Sequence, residues 1–287
     1  CKLGVFAFAS FRLMPVASSL LNTTQNFSFQ GETVDRLYKD YFSLQNNSSK
    51  SLSLKKLDFN NFEISNISFS YNPHSGKKNI NKLSLKFNKG DFVGFIGQSG
   101  SGKTTLIDLI IGLIEPQFGK IKVDKIDLKN ILFQWQSNIA YISQNSFIID
   151  DTLGRNIALG VDTKEINNDL LAKVAKETNL DEFVNSLPNG FDTLVGEMGS
   201  NISGGQIQRI EIARALYHHR EIIVLDEATS ALDNETENMI IETLKKLKGK
   251  KTIIFITHKI NVLKYCDIIH QLSDSVLIKS GSYDEIK

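Results

Sequence analysis

The chain has little cysteine, almost no net charge and no long apolar run. Cys1 and Cys266 are its only cysteines and lie far apart. That spacing fits neither a disulfide framework nor a metal site, and it suits a reducing, cytosolic setting. Thirty-three Lys+Arg stand against 32 Asp+Glu, a formal charge of +1, so charge alone provides no grip on a polyanion and no nucleic acid partner is expected. No stretch reaches the roughly 20 uninterrupted apolar residues of a full membrane span. No internal repeat and no sustained heptad pattern is present, which excludes a solenoid and a long coiled coil. Asn-x-Ser/Thr triplets such as Asn66-Ile67-Ser68 and Asn201-Ile202-Ser203 are chance matches in an Asn-rich chain. What remains is an ordinary globular balance, 41% hydrophobic and 23% charged over 287 residues. That is enough for a sizeable core in one large domain or two small ones.

The chain opens on Cys1 rather than methionine, and residues 1–21 are rich in Leu, Val and Phe but interrupted by Lys2, Arg12 and Pro15. Arg12 sits where a signal peptide needs its apolar centre. The stretch reads instead as the cytoplasmic end of a membrane helix whose earlier part precedes it, with Arg12 near the headgroups. An amphipathic helix packed on a soluble core is the rival reading. Val34, Leu37, Tyr38, Tyr41 and Phe42 continue at helical spacing. These observations predict a helical unit over 1–45, a polar linker over 46–61 and a folded domain over 62–287.

The domain is organised around Gly97-Gln98-Ser99-Gly100-Ser101-Gly102-Lys103-Thr104-Thr105, which reads G-x-x-x-x-G-K-T. The apolar run 92–96 leads in and the helical pattern 106–110 leads out, the strand-to-helix context a P-loop requires. The glycines let the backbone turn and aim its N–H groups at an anion, and the helix end adds about half a positive charge. Lys103 can reach the β- and γ-phosphates of a nucleotide, and the Thr104 hydroxyl can bind Mg²⁺.

Upstream, Phe62, Ile64, Ile67, Phe69 and Tyr71, then Leu83, Leu85 and Phe87, show strand character. Residues 72–76 read as a turn, and Ile121 and Val123 as another short strand. Two further apolar runs, 222–225 and 253–257, fit parallel strands covered on both faces. The first ends at Asp226-Glu227, the second at His258. Ligands in open α/β sheets sit off the carboxyl ends of the strands, so the P-loop, Asp226, Glu227 and His258 are expected to converge. Asp226 can hold Mg²⁺, and Glu227 can polarise a water for attack on phosphorus. Residues from about 153 to 217 are helix-patterned and read as an inserted helical subdomain. Near its end, Ile202-Ser203-Gly204-Gly205-Gln206 precedes a helix, a second anion-binding helix start with Ser203 as its cap.

With these residues in view the chain resembles the nucleotide-binding domain of an ATP-binding cassette (ABC) transporter over about 62–287. Ile202–Gln206 is similar to the family signature L-S-G-G-Q, with Ile for Leu. Residues 97–104 resemble Walker A, and 222–226 resemble Walker B with Glu227 as catalytic glutamate. Gln144 resembles the Q-loop residue, 230–233 the D-loop and His258 the switch histidine. Tyr71 stands where the family stacks an aromatic ring on adenine.

The resemblance implies an α/β P-loop cassette with a mostly parallel core sheet, an antiparallel β subdomain, the inserted helical subdomain and an N-terminal helical remnant of a transmembrane domain. It implies a Mg²⁺-dependent ATPase. Catalysis would fall to Glu227, His258 and Gln144. Tyr71, Gly97, Ser99, Gly100, Ser101, Gly102, Lys103, Thr104 and Thr105 would hold ATP, and Thr104, Gln144 and Asp226 would hold Mg²⁺. A second copy would supply Ser203, Gly204, Gly205, Gln206 and Asp233 to the same nucleotide, and the intact motif set favours a homodimer. Residues 193–199 resemble the x-loop of exporters. The opening stretch around 11–15 resembles flippases of lipid-linked oligosaccharides, so the implied partner is a lipid-type substrate, and the implied location is a cell (inner) membrane with the ATP-binding domain cytoplasmic. Peptide or drug export, a soluble importer subunit and a DNA-maintenance ATPase are the alternatives. The last would carry a long coiled coil between Lys103 and Ser203, where none is present.

Overall fold

The computed structural model describes residues 2–47, 57–73, 78–144, 147–196, 202–230 and 232–287. The chain divides into two compact units, Cys1–Ser53 and Leu54–Lys287. The first contains one helix, α1 (Lys2–Asn47), 46 residues long and therefore about 69 Å from end to end. It runs through Pro15, which removes one backbone hydrogen bond without ending the helix. Its described side chains are exposed, Phe6, Phe11 and Met14 among them. No helix among the described residues is long and apolar enough to cross a membrane. Of the linker expected over 46–61, residues 48–56 lie outside the described residues, as do residues 74–76 of the expected turn and residue 77 after it.

The second unit holds two sheets. Strands β1 (Asn61–Phe69), β2 (Ile80–Asn88), β4 (Phe118–Val123) and β5 (Ile126–Asp127) form an antiparallel sheet in the order β2-β1-β4-β5. The larger sheet has the order β10-β9-β3-β8-β7-β6. It is built from β3 (Phe92–Gly97), β6 (Ile139–Ile142), β7 (Ile222–Asp226), β8 (Thr252–Ile256), β9 (Ile268–Ser273) and β10 (Val276–Gly281). All its pairings are parallel except β9 with β10. That last pair is a hairpin over Asp274 (φ 49°) and Ser275 (φ 68°), the double left-handed turn that matches strand twist.

Helices α2 (Lys103–Ile111) and α3 (Leu132–Ser137) precede β6, and α4 (Leu153–Ile157), α5 (Asn168–Glu177), α6 (Asp181–Ser186) and α7 (Gly204–Tyr217) separate β6 from β7. Then come α8 (Asn234–Leu247), α9 (Ile260–Leu263) and the short α10 (Tyr283–Ile286).

The apolar runs explain the layering. Every residue of β7 and β8 is buried, and side chains alternate between faces. Ile222, Val224, Ile254 and Ile256 enter the core shared with α2 and the antiparallel sheet. Ile223, Leu225, Ile253 and Phe255 enter the core shared with α5, α7 and α8. A strand with two cores has no polar face, so its sequence reads as continuous hydrophobe. Strand β1 breaks strict alternation because its register slips between Ile64 and Ile67, where Asn66 adopts φ 51°.

His270 on β9 is 2% exposed. Its Nδ1 lies 2.8 Å from Ser280 Oγ, and its Nε2 has no partner among the described residues. Burial pushes its pKa down to about 4 from an ordinary 6.5. Below pH 6.5 the unfolded chain binds a proton that the folded chain refuses, so stability falls with pH until about pH 4. The cost reaches about 3 kcal/mol. Urea titrations at pH 7 and pH 4.5 should show His270→Leu losing less stability across that window than the native chain. An equal loss would assign the acid sensitivity elsewhere.

Candidate functional site

Strand β3 ends at Gly97 and α2 begins at Lys103, so residues 98–102 form the loop between them. Gly102 is the N-cap of α2 at φ 100°, a conformation that L side chains rarely adopt. No side chain caps α2, which leaves its leading N–H groups for an anion. Ser101 Oγ is buried without a partner among the described residues, a second donor with no protein acceptor. Ser99 and Gly100 form the exposed lip, Thr104 is exposed, and Thr105 is buried. The Lys103 side chain is curled over the loop and donates from Nζ to the carbonyls of Gly97 (2.9 Å) and Gln98 (3.0 Å). Burial lowers its pKa, with Glu227 and Asp226 opposing the shift. A loop with spare donors and a desolvated cation fits a polyphosphate.

Asp226 closes β7 and is 9% exposed. Burial raises its pKa, while the phenol of Tyr141, donating to Oδ2 at 2.9 Å, acts in the opposite direction. The next residue, Glu227, sits at φ 51°, a strained conformation costing roughly 1–3 kcal/mol. Its N–H donates to Ile256 O at 3.1 Å. Glu227 Oε1 lies 2.6 Å from His258 Nε2 and 4.0 Å from Lys103 Nζ. The ends of β3, β7 and β8 thus bring Lys103, Glu227 and His258 into one cluster, as anticipated from the strand ends.

Gln144, just beyond β6, donates from Nε2 to Ser230 Oγ at 3.4 Å. Tyr71 is 58% exposed, and its hydroxyl donates to Asp108 Oδ2 on α2 at 3.2 Å. Phe69 meets its ring edge-on at 5.0 Å, so the ring is held beside the loop helix. Thr104, Gln144 and Asp226 offer a hydroxyl, an amide oxygen and a carboxylate. Among the described residues no group of three His, Cys, Asp or Glu could hold a metal. The available set of hard oxygens fits Mg²⁺, whose remaining ligands are usually phosphate oxygens and water.

A second group lies at the starts of α7 and α8. Ser203 Oγ accepts the Gln206 N–H at 3.3 Å and Gln206 Oε1 accepts the Ser203 N–H at 2.8 Å, a capping box. A Cβ at Gly205 would lie 1.8 Å from Thr236 Cγ2, so only glycine permits this approach of the two helices; beside it Gly204 faces Leu232. Asp233 caps α8, accepting the N–H groups of Glu235 and Thr236, each at 3.0 Å. Thr236 supplies the leading hydrogen bonds that hold its carboxyl below the usual range. Among the described residues no hydrogen bond or ion pair joins Ser203, Gly204, Gly205, Gln206 or Asp233 to residues 97–105. Residues 197–201 of the expected x-loop and signature region, and Ala231 of the expected D-loop, lie outside the described residues.

Two contacting residues were not anticipated: Tyr141 and Asp108. Tyr141 pairs with Val224 and Asp226 is two residues further along the same face, a juxtaposition that the sheet register reveals and the sequence does not. Asp108 carries no local signal.

The sequence profile described as ABC transporter matches residues 80–230. The chain is 35% identical over 225 residues to "ABC transporter B family member 21" of Arabidopsis thaliana, covering 78% of this chain and 17% of that protein. It is 36% identical over 248 residues to "ATP-dependent lipid A-core flippase" of Francisella tularensis subsp. holarctica, covering 86% of this chain and 40% of that protein. A bacterial Atm1-family ABC exporter solved with ATP bound superposes with TM-score 0.72 at 31% identity, over 80% of this chain and 40% of the other. The chain therefore spans less than half the length of these relatives. With the family profile matched over more than half its residues and a P-loop cassette built as described, the chain belongs to the ABC transporter family, and its second unit is the family's ATP-binding ATPase domain.

Proposed function

We propose that the chain is the ATP-driven part of an exporter, in which two copies close around two ATP molecules and hydrolysis reopens them. The observation that carries this reading is Glu227, held between His258 and Lys103 at the end of β7. From there its carboxylate can orient a water toward a γ-phosphate lying on the α2 amides, and His258 can fix that carboxylate and its proton. Lys103 leaves the loop carbonyls to neutralise the β- and γ-oxygens. Thr104, Gln144 and Asp226 would hold Mg²⁺ together with the phosphates, where it would supply charge neutralisation. Tyr71 offers a face to the adenine ring.

Ser203, the amides of Gly204 and Gly205, and Gln206, whose own N–H the Ser203 hydroxyl accepts, form with Asp233 nearby an anion-binding helix start attached to α8 rather than to the chain's own P-loop. That separation favours action on the nucleotide of a second copy. The domain boundaries that go with this reading are 1–45, 46–61 and 62–287. The same reading puts the cassette on the cytoplasmic side of a cell (inner) membrane, with α1 leading from the membrane-embedded part.

The flippase likeness favours a lipid-type cargo, including lipid-linked oligosaccharides. The test is ATP hydrolysis by the full-length protein in proteoliposomes. Lipid A-type or oligosaccharide lipids are expected to raise the rate several-fold, and peptides and drugs are not. Stimulation by peptides or drugs alone would reassign the cargo.

A further inference from the structure

We propose that Tyr141 is a positioning residue that sets the orientation of the Asp226 carboxylate toward a divalent cation. The inference rests on the reading of Asp226 as a Mg²⁺ ligand and adds a residue to that site. Tyr141 lies on β6, the edge strand of the large sheet, next to β7. The parallel register places it opposite Val224, so its side chain emerges on the face that Asp226 shares two residues later. Its hydroxyl donates to Asp226 Oδ2 at 2.9 Å. Among the described residues no other hydrogen-bond donor reaches that carboxylate.

A buried carboxylate can rotate about its terminal torsion unless a partner fixes it. The phenol occupies Oδ2 and leaves Oδ1, which has no hydrogen-bond partner among the described residues, available to a cation or its bound water. A tyrosine suits this task because its ring is rigid and its hydroxyl is held at a fixed distance from the backbone. The chain leaving β6 reaches Gln144, a second expected ligand, three residues after Tyr141. One edge strand thus delivers one cation ligand and aligns another, so that shifting β6 would disturb both together. Outer contacts of this kind are typically worth 10–100-fold in metal affinity.

The test uses Mn²⁺ as a paramagnetic stand-in for Mg²⁺, with binding to the ATP-loaded chain followed by electron paramagnetic resonance. Tyr141→Phe keeps the ring and removes only the donor. It is expected to weaken Mn²⁺ about tenfold, with ATP affinity in EDTA unchanged and a somewhat lower melting temperature, because the buried carboxylate loses its donor. Mn²⁺ affinity within twofold of the native chain would overturn the proposal. So would a tenfold loss from the same substitution in an Asp226→Asn background, because a residue acting through Asp226 has nothing left to align. A native chain that binds no Mn²⁺ with ATP would instead overturn the underlying reading of Asp226, an outcome separable from the first because it needs no variant.

Discussion

Glu227→Gln is expected to slow ATP hydrolysis by about 10²–10⁴-fold, the range associated with a positioned general base, while ATP affinity stays the same or rises. The two effects part because the carboxylate does two things. It sits 4.0 Å from Lys103 Nζ, close enough that its charge opposes the approach of phosphate oxygens. It is also the acceptor best placed to hold an attacking water. Glutamine keeps the size and a hydrogen-bonding group for His258, which lies 2.6 Å from Oε1, but removes the charge. The strained φ of 51° belongs to the backbone, and the substitution leaves it in place. Phosphate release and equilibrium ATP binding, measured on the same preparation, separate the outcomes. Hydrolysis within threefold of the native rate would remove Glu227 from the chemistry. Weakened binding at a matching rate loss would make it a binding residue only.

How much of this was legible in the sequence differs from element to element. The P-loop was readable because its chemistry is local: a strand, a turn that needs glycine and an uncapped helix are contiguous. The ends of β7 and β8 were readable because two buried faces leave an unbroken apolar run, and a polar residue after such a run marks the sheet's carboxyl edge. The β9–β10 hairpin was not anticipated. Its turn is Asp274-Ser275, without the glycine that usually announces a two-residue turn, and β10 has three exposed residues in a row. Tyr141 was hidden for a different reason. A tyrosine in a short edge strand has no periodicity that separates packing from function, and its partner is 85 residues away. Gly205 was marked as a backbone donor in an anion-binding loop. Its Cβ position, 1.8 Å from Thr236 Cγ2, adds a helix-packing requirement that no sequence spacing could reveal.

Lys103→Ala should weaken ATP by about 100-fold and leave the nucleotide-free protein as stable as before, or more so. Lys103 is 6% exposed, its pKa is lowered by burial, and its ammonium is satisfied by two backbone carbonyls. A desolvated cation held by neutral acceptors adds little stability and often costs some. Its value appears only when phosphate oxygens replace those carbonyls. Charge-assisted hydrogen bonds are then worth about 1.5–3 kcal/mol each, and two of them correspond to roughly two to four powers of ten in affinity. A lysine kept for stability would behave in the opposite way, with a lower melting temperature and unchanged nucleotide binding. Thermal melts with and without ATP therefore discriminate sharply. The native chain should rise in melting temperature with ATP and the variant should not, from a nucleotide-free baseline at or above the native one. A variant whose baseline falls by several degrees while its ATP-induced rise persists would show that the loop lysine holds the fold together and that the phosphates are gripped by backbone amides alone.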